Sequence, residues 1–599
     1  MDPKLWTPRE ISFHFDGFIG DRLKANLENW ELPAPAANPA LIEMFYDRDR
    51  KPDRKLLPWS GEFIGKYLCS SILSYRILRD PREKATTDGL VRALLASQDD
   101  DGYLGPFSRD QRLTGNNWDL WGHYWAIRAL LLYNEEFGSI EAVRAATRAA
   151  DLVVSKFLNR DFRFTNDGSY GQMNYAIIHA FTKLYRLTGK PAYLEMARWI
   201  VGRWEEPGAG LYITKALQGR DMYEFPGNRW ESVHDFQGMY EMYLLTGENK
   251  FIDAFTNIWY SIEKGDRHNT GGFTSGERTT GDPYQPGAIE TCCTVAWLDM
   301  SIDFLKLTAN PQIADEIELS TFNGNVGGQS PSGRWWTYNT PMNGTKEASA
   351  HTINFQCRAG SPELNCCSVN GPRGLAMVSE WAILRSKTGL ALNYYGPAAF
   401  ETQTPGKHKI ELREETEYPR DGRIRIDVNT EEPEKFALEL RIPSWSQQTT
   451  VAINGKPESG TRAGTYLALD RTWSKGDQIE INVDMSPHYW VGDRETFGKT
   501  SAYIGPILLA FDPAYNSMDP AAIPEMDARQ FKLKPARTGK SIQPWVLRSV
   551  TATNGQEVVL CDFATAGAYG DEYLSWLPIR NVTPISFERT RLIWNNRGQ

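Results

Sequence analysis

The chain contains two pairs of adjacent cysteines, a residue type that can act as a nucleophile or a metal ligand. They are Cys292 with Cys293 in "AIETCCTV" and Cys366 with Cys367 in "LNCCSVNG", among only seven cysteines in 599 residues. Glu290 lies two residues before the first pair. Three thiolates and one carboxylate favour Zn²⁺ in a tetrahedral site, because sulfur is a soft ligand. The two segments therefore predict a metal site if the fold brings them together.

Other interpretations of these cysteines remain open at the level of sequence. Their spacing differs from the Cys-x-x-Cys pattern of zinc ribbons, and buried free thiols pack well in protein cores. A vicinal disulfide between Cys366 and Cys367 is a third interpretation. Cys293 could replace Cys292 as the third thiolate. The odd number of cysteines argues against a framework of structural disulfides and favours reduced thiols.

The elements that must position these residues begin with a repeated helical pattern. Three segments each read as helix, short turn and helix, with turns that begin at Leu187, Leu245 and Leu307, 58 and 62 residues apart. Weaker copies follow Ser74 and Ala129. Each pair carries an apolar stripe that it cannot bury alone, so neighbouring pairs must pack together. We predict an (α/α)6 barrel as the catalytic domain over residues 1–385, with an open helical solenoid as the alternative.

Beyond about residue 390 the hydrophobic period changes from that of a helix to that of a strand. "GRIRIDVNT" and "FALELRIPSW" alternate apolar with polar residues, and Asn454-Gly455 is typical of a hairpin turn. Helices followed by strands predict a multidomain α+β chain. We expect an antiparallel β-sandwich at 386–490, with residues 585–599 as a candidate completing segment, and a second β-rich domain at 491–584.

Composition limits the partners and the compartment. The net charge of −9 comes without a basic stripe, so neither nucleic acid nor a membrane is expected as partner, and no apolar run is long enough to span a bilayer. The first residues, "MDPKLWTPREISFHFDG", lack a basic segment followed by an apolar one. We expect a cytoplasmic protein. A periplasmic or secreted protein whose signal has been removed is the alternative.

Six motifs, taken in order, resemble the β-L-arabinofuranosidases of glycoside hydrolase family 127. They are "DGFIGDRLKANLENW", "SQDDDGYLG", "GHYWAIRALL", "GERTTGDPYQPGAIETC", "YNTPM" and "CCSVNG". The resemblance covers most of the chain. It implies a hydrolase that cleaves a furanosyl bond with retention, using a zinc-bound cysteine as nucleophile and a glutamate as acid/base.

Matching motif to motif assigns these roles to residues of this chain. Glu290, Cys292, Cys366 and Cys367 fall on the zinc ligands, and Cys366 is also the nucleophile. Glu277 in "SGER" falls on the acid/base, and we expect a partly apolar pocket to raise the pKa of its carboxyl group. The interval from Glu277 to Glu290 is 13 residues, shorter than the resemblance leads us to expect. Asp282 is the nearest alternative carboxylate.

The resemblance also implies residues that contact the sugar. His123, His234 and Tyr338 are similar to family positions in the binding site, although each also suits core packing. Gln172 stands where the family typically has histidine, so the recognised sugar is in question. Glu62 at the start of a helix either lines the pocket or interacts with the helix dipole, and we expect the second.

These observations predict an exo-acting retaining hydrolase with Zn²⁺ as cofactor and an oligosaccharide or glycan as substrate. The resemblance implies a terminal β-L-arabinofuranosyl or similar residue of plant-derived glycans. Another pectin furanoside, such as aceric acid, is the alternative substrate. A non-catalytic carbohydrate-binding protein with a structural zinc is the alternative from a different class. A homodimer is also compatible with the sequence.

Overall fold

The computed structural model describes residues 2–114, 117–160, 171–287, 289–352 and 364–582. Within these ranges the chain forms helices first and antiparallel sheets afterwards, as the change of hydrophobic period predicts. Residues 585–599, the candidate segment for completing the β-sandwich, lie outside the described residues. No helix in the described ranges has the length and apolar composition that a membrane span requires.

The helices occupy the first two thirds of the chain. The first five are α1 (Gly17–Asn26), α2 (Ala34–Ala37), α3 (Ala40–Tyr46), α4 (Glu62–Leu78) and α5 (Pro81–Ala96). The next eight are α6 (Asp119–Phe137), α7 (Ile140–Phe157), α8 (Gly171–Tyr175), α9 (Ile177–Thr188), α10 (Pro191–Trp204), α11 (Tyr212–Leu217), α12 (Ser232–Thr246) and α13 (Asn249–Gly265). The last five are α14 (Thr291–Thr308), α15 (Pro311–Leu319), α16 (Ser349–Thr352), α17 (Cys366–Ala376) and α18 (Val378–Trp381).

The helices before the three turns of the repeat are each followed by a residue in the left-handed backbone conformation. Helices α9 and α12 end at Gly189 and Gly247, whose φ angles of +68° and +72° place them in the left-handed region that glycine adopts without strain. Ala309 takes the same place after α14 with φ of +51°. Asn310 then caps the next helix by accepting a hydrogen bond from the Gln312 amide. The repeated sequence pattern therefore corresponds to helices that end in the same backbone conformation.

Six of the helices contact one another in a cycle. Helix α4 contacts α6, then the contacts run through α9, α12, α14 and α17, and α17 returns to α4. Helices α5, α7, α10, α13 and α15 each pack against the preceding member of the cycle. Helix α14 is buried along most of its length, whereas α10 buries one stripe of residues at helical spacing. The burial patterns therefore distinguish inner helices from outer ones.

The strands follow the helices, with two short exceptions. The first eleven are β1 (Ser12–Phe15), β2 (Asn343–Gly344), β3 (Ile383–Arg385), β4 (Gly389–Leu392), β5 (Ala398–Gln403), β6 (Lys409–Thr416), β7 (Arg423–Thr430), β8 (Glu434–Ile442), β9 (Thr450–Ile453), β10 (Lys456–Pro457) and β11 (Thr465–Trp473). The others are β12 (Asp477–Asn482), β13 (His488–Val491), β14 (Thr500–Ile504), β15 (Ile507–Phe511), β16 (Met526–Asp527), β17 (Lys534–Pro535), β18 (Leu547–Thr551), β19 (Glu557–Asp562), β20 (Tyr573–Leu574) and β21 (Ile579–Arg580).

The strands form three main sheets. The first runs β1-β5-β6-β7-β12-β9-β10, the second β11-β8-β4-β3, and the third β13-β14-β15-β19-β18-β17. Their pairs are antiparallel except β4 with β8. Strand β1 pairs with β5, and β2 pairs with β20, which itself pairs with β15. Segments of the helical part thus extend sheets of the later part, a feature that the sequence-based domain boundaries do not include.

Candidate active site

Two cysteines of the site lie in the first turn of α17. The Asn365 side chain accepts hydrogen bonds from the backbone amides of Cys367 and Ser368, at 3.2 and 3.1 Å. The Ser368 hydroxyl accepts in return from the Asn365 amide at 2.9 Å. This capping box begins the helix at Cys366. It fixes both thiols at a helix N-terminus, where the backbone favours negative charge.

The second pair lies at the start of α14, and Glu290 is the residue immediately before that helix. The Sγ atom of Cys367 lies 3.4 Å from Glu290 Oε1 and 3.6 Å from Cys292 Sγ. The sulfurs of Cys366 and Cys367 are 3.7 Å apart. The ligand atoms of Glu290, Cys292, Cys366 and Cys367 all lie within 4.8 Å of one another. We call these four residues the thiol cluster.

Cys293 lies beside the thiol cluster and differs from Cys292 in what it contacts. Its Sγ donates to Glu290 Oε2 at 3.6 Å, and it is not among the four residues whose donor atoms converge. The two neighbouring thiols therefore point at different partners. None of the six cysteines in the described ranges forms a disulfide, so the vicinal disulfide is not formed in this structure. Cys69 and Cys561 are buried elsewhere, and Cys357 lies outside the described residues.

The donor set of the thiol cluster fits a metal ion. Three sulfurs and one carboxylate oxygen, all from buried residues, suit a tetrahedral site for a borderline-soft ion such as Zn²⁺. Burial raises the pKa of Cys366 and Cys367 above the ordinary thiol range. Burial alone would also raise the pKa of Cys292, but hydrogen bonds from the other two thiols and the charge of Lys66 lower it instead. These directions favour a thiolate at Cys292, and a bound cation would favour thiolates at all three cysteines.

Lys66 brings a buried positive charge to the thiol cluster. Its Nζ lies 3.9 Å from Cys292 Sγ and 3.0 Å from Glu62 Oε2, and the side chain is fully buried. The ammonium also faces three indole rings at 5.3 to 5.5 Å, those of Trp121, Trp125 and Trp230. Burial would lower the pKa of Lys66, but Cys292 and Glu62 raise it above its ordinary value. Glu62 accordingly holds this lysine, and it also accepts from the Trp121 indole.

Tyr338 joins Glu277 to the segment that carries the thiol cluster. The Tyr338 hydroxyl donates to Glu277 Oε1, and the Tyr338 carbonyl accepts from the Thr291 amide at 2.8 Å. Burial and the charge of Glu290 raise the pKa of Tyr338, so its hydroxyl remains a donor. The Glu277 side chain is 32% exposed, whereas Glu290 is buried. Tyr338 therefore connects an accessible carboxylate to the first turn of α14.

The alternative carboxylate, Asp282, is held by another part of the chain. Its Oδ2 forms an ion pair with Arg494 at 3.0 Å, and its Oδ1 accepts from the Tyr284 amide at 3.1 Å. Arg494 belongs to the loop between β13 and β14. These contacts tie the Asp282 loop to the third sheet, whereas Glu277 is the one that reaches Tyr338.

The predicted sugar-contacting residues differ in how their polar atoms are used. His123 is buried, with Nδ1 against the Asp119 carbonyl at 2.9 Å and Nε2 accepting from the Leu104 amide at 3.3 Å. A hydrogen bond from His123 to a sugar would therefore require one of these bonds to break. His234 Nδ1 lies near the Gln237 amide oxygen, and its Nε2 has no partner within the described residues. The Oε1 of buried Gln172 likewise has none there.

Sequence reasoning missed Lys66, Arg229 and Glu231. Arg229 donates from Nη2 to Glu277 Oε2 at 2.7 Å and to Glu231 Oε1 at 2.8 Å. Glu62 and Lys66 are four residues apart in one helix, a spacing that indicates an ion pair. Nothing in the sequence indicated that this pair would reach Cys292, because residues 226 positions apart meet only through tertiary packing.

Two family models match the chain. The model of the β-L-arabinofuranosidase GH127 catalytic domain matches residues 19–380, and that of the GH127 middle domain matches residues 389–485. The matched helical domain, with its thiol cluster and neighbouring carboxylate, defines the protein as a glycoside hydrolase. The chain belongs to glycoside hydrolase family 127. No match was found among curated proteins.

Solved structures share the fold at low sequence identity. A GH127 β-L-arabinofuranosidase from Geobacillus stearothermophilus T6 has a TM-score of 0.77 at 19% identity, over 95% of this chain and 100% of that one. A GH127 β-arabinofuranosidase has a TM-score of 0.79 at 19% identity, over 96% and 98% of the two chains. A protein described as a glycoside hydrolase gives 0.74 at 20% identity, over 96% and 98%.

Proposed function

We propose that this protein is a retaining exo-glycoside hydrolase that releases a terminal β-L-arabinofuranosyl or similar furanosyl residue from plant-derived glycans. The observation that carries the proposal is the convergence of Glu290 and three cysteines within 4.8 Å in a chain of this family. The descriptions of the similar structures as β-L-arabinofuranosidases support the substrate class. The hydrogen bond from Tyr338 to Glu277 supports Glu277 as the acid/base near the thiol cluster.

In this proposal Glu290, Cys292, Cys366 and Cys367 hold Zn²⁺. When bound, the ion would keep the cysteine sulfurs as thiolates at neutral pH. Cys366 is 7% exposed, whereas Cys292 and Cys367 are fully buried. We therefore assign the attack on substrate to Cys366 and a purely ligating role to the other two cysteines.

The proposed reaction has two displacements at the anomeric carbon. The Cys366 sulfur attacks that carbon and the bond to the leaving oxygen breaks, while Glu277 transfers a proton to this oxygen. Glu277, now a carboxylate, then takes a proton from water. The water oxygen displaces sulfur from the anomeric carbon and frees the sugar. Two inversions give net retention of configuration.

The supporting architecture is part of the proposal. We interpret the cycle of six contacting helices as an (α/α)6 barrel spanning residues 1–385, with most of the first two sheets as a β-sandwich at 386–490 and most of the third sheet as a domain at 491–584. His123, Gln172, His234 and Tyr338 are the proposed sugar-contacting residues. Among these, Tyr338 has the most direct support, because it bonds to the proposed acid/base.

The test compares hydrolysis of 4-nitrophenyl β-L-arabinofuranoside by the natural protein and by Cys366→Ser. We expect the natural protein to release a product of retained configuration, followed by NMR. Cys366→Ser should lose at least about 10³-fold in rate, because a hydroxyl is a much weaker nucleophile than a thiolate. Cys561→Ser, which changes a buried thiol in the third sheet, is the matched control and should keep its activity.

Two results would contradict the proposal. One is full activity of Cys366→Ser. The other is an inert natural protein across a panel of β-L-arabinofuranosides and other pectin furanosides, including aceric acid glycosides. Activity on other pectin furanosides alone would change the proposed substrate and would leave the proposed reaction unchanged. Metal analysis of freshly purified, reduced protein should find about one zinc per chain, and a chain without zinc would remove the metal from the scheme.

A further inference from the structure

Glu277 is held by an ion-pair relay that begins at a buried carboxylate. The Glu231 side chain is 1% exposed and accepts from both Nε and Nη2 of Arg229, at 3.0 and 2.8 Å. The same Nη2 donates to Glu277 Oε2 at 2.7 Å. Arg229 is thus fixed by two bonds on one side and presents its charge to Glu277 on the other.

The backbones of the two segments are joined as well. The Trp230 amide donates to the Glu277 carbonyl at 3.1 Å, and the Thr279 amide donates to the Asn228 carbonyl at 3.1 Å. Arg229 and Arg278 form a β-bridge. Glu277 itself has a φ of +66°, which a non-glycine residue adopts only when its surroundings hold it there. The segment that carries Arg229 and Glu231 therefore supports the loop that carries Glu277.

A proton donor and acceptor in a glycosidase must stay aimed at one oxygen. Glutamate has three rotatable side-chain bonds, and Glu277 is the most exposed carboxylate of this group at 32%. Its two oxygens are assigned to different donors, Oε1 to Tyr338 and Oε2 to Arg229. Two donors from separate segments of the chain restrict the orientation of the carboxyl group, and positioning of this kind contributes strongly to catalysis.

We propose that Arg229 and Glu231 are positioning residues for the acid/base step, with Glu231 orienting Arg229 and Arg229 orienting Glu277. This inference rests on the proposed role of Glu277. It adds two residues that act through Glu277 without contacting the sugar. Loss of either should impair proton transfer to the leaving oxygen more than attack by sulfur.

The experiment measures how rate depends on the leaving group. The 4-nitrophenolate group of 4-nitrophenyl β-L-arabinofuranoside leaves without much help from an acid. The methoxy group of the methyl glycoside must be protonated to leave. Glu277→Gln should lose about 10² to 10⁴-fold on the methyl glycoside and far less on the nitrophenyl one. Arg229→Met should show the same selectivity with about a 10²-fold loss. Arg229→Lys, which keeps the charge but not the planar fork, should lie between Arg229→Met and the natural protein.

Arg278→Met is the matched control, because Arg278 is the neighbouring arginine and donates to the Asn228 side chain instead of to Glu277. It should keep natural rates on both substrates. If Arg229→Met does not fold, as judged by circular dichroism, Glu231→Gln carries the test and should show the same leaving-group selectivity. A general structural role would lower both rates equally.

The outcomes separate the inference from the proposed function. A selective loss in Glu277→Gln together with equal losses, or none, in Arg229→Met and Glu231→Gln overturns the inference alone. No selectivity in Glu277→Gln overturns the role of Glu277 and the inference with it. Selective loss in both sets supports the relay from Glu231 to Glu277.

Discussion

The ammonium group of Lys66 touches one cysteine of the thiol cluster and no solvent. Four groups that carry negative charge when they bind a metal converge at this cluster, and the Lys66 side chain is the cation found 3.9 Å from Cys292. Its enclosure by three indole rings and Glu62 leaves it one position. Lys66 therefore compensates negative charge of the thiol cluster, and this contact is part of the site in addition to the four candidate ligands.

Replacement of Lys66 by Met should weaken zinc binding about tenfold or more, because the cluster would lose its compensating charge. Competition with a chromogenic chelator at fixed pH measures this without any substrate. The double variant Lys66→Met with Glu62→Gln is the control, since it also removes the carboxylate that the single variant leaves unpaired. Equal zinc affinity of Lys66→Met and the natural protein would contradict the role of Lys66.

Helix α17 presents Cys366 and Cys367 through its first turn. The Asn365 cap satisfies two amides that no carbonyl inside the helix can reach. Because the second of these amides belongs to Ser368 and the first to Cys367, the cap also sets the direction of the thiols. An element boundary thus determines the geometry of the site.

Asn365→Ala should destabilise the protein by about 1 kcal/mol, the usual value of a lost N-cap, and should also lower zinc affinity. Asn365→Asp retains an acceptor for the same amides and should lose much less stability. Urea unfolding and chelator competition measure the two effects. Unchanged zinc affinity in Asn365→Ala would show that the thiols are oriented by packing alone.

A second element-scale feature is a pair of buried carboxyl groups where α4 and α5 pack. Glu31 accepts from the Ser74 hydroxyl at 2.8 Å, and Glu83 lies in the first turn of α5. Burial raises the pKa of Glu31 to about 7 from an ordinary 4.5, and burial and the charge of Glu31 raise the pKa of Glu83 well above its ordinary range. Stability from the protonated forms is thus fully present below pH 4.5 and is lost as the pH rises through 7.

Glu31→Gln should remove much of this dependence, since a neutral amide does not ionise. The natural protein should lose about 3 kcal/mol of unfolding free energy between pH 5 and pH 8 that the variant keeps. Thermal unfolding of both proteins across this range is the measurement. Parallel melting curves at all pH values would show that Glu31 ionises in the folded state without cost.

At the scale of the whole molecule, buried ion pairs join the helical part to the second sheet. Arg441 of β8 is fully buried and pairs with Asp315 at 2.6 Å and with Glu318 at 2.7 Å, both in α15. Its Nε donates to the Asn393 carbonyl at 2.7 Å. These contacts fix the second sheet against α15, the helix that follows α14.

Arg441→Met should cost about 3 to 5 kcal/mol of unfolding free energy, because two buried carboxylates lose their partner. Arg413→Met, which removes an exposed ion pair with Glu411, is the matched control and should cost about 1 kcal/mol or less. Denaturant titration measures both. A cost for Arg441→Met no larger than that of the control would mean that the two parts are held by apolar contacts alone.

The sequence by itself determined the order of the architecture and the chemistry of the thiols. Hydrophobic period separates helices from strands, and Gly189 and Gly247 mark helix ends because glycine adopts a positive φ without strain. The resemblance of six motifs predicted membership of glycoside hydrolase family 127, which the family models confirm. The spacing alone left Cys292 and Cys293 as alternatives, and the resemblance pointed to Cys292, whose donor atom converges with those of the other three residues.

The tertiary structure decided which side chains meet. Lys66 reaches Cys292 across 226 positions, and Arg229 reaches Glu277 across 48. Strand β1 joins a sheet whose neighbouring strand lies almost 400 residues later. Such pairings arise from the packing of the whole chain, so local periodicity carries no signal for them. The residue types were visible in the sequence, whereas their partners, burial and charge depend on the fold.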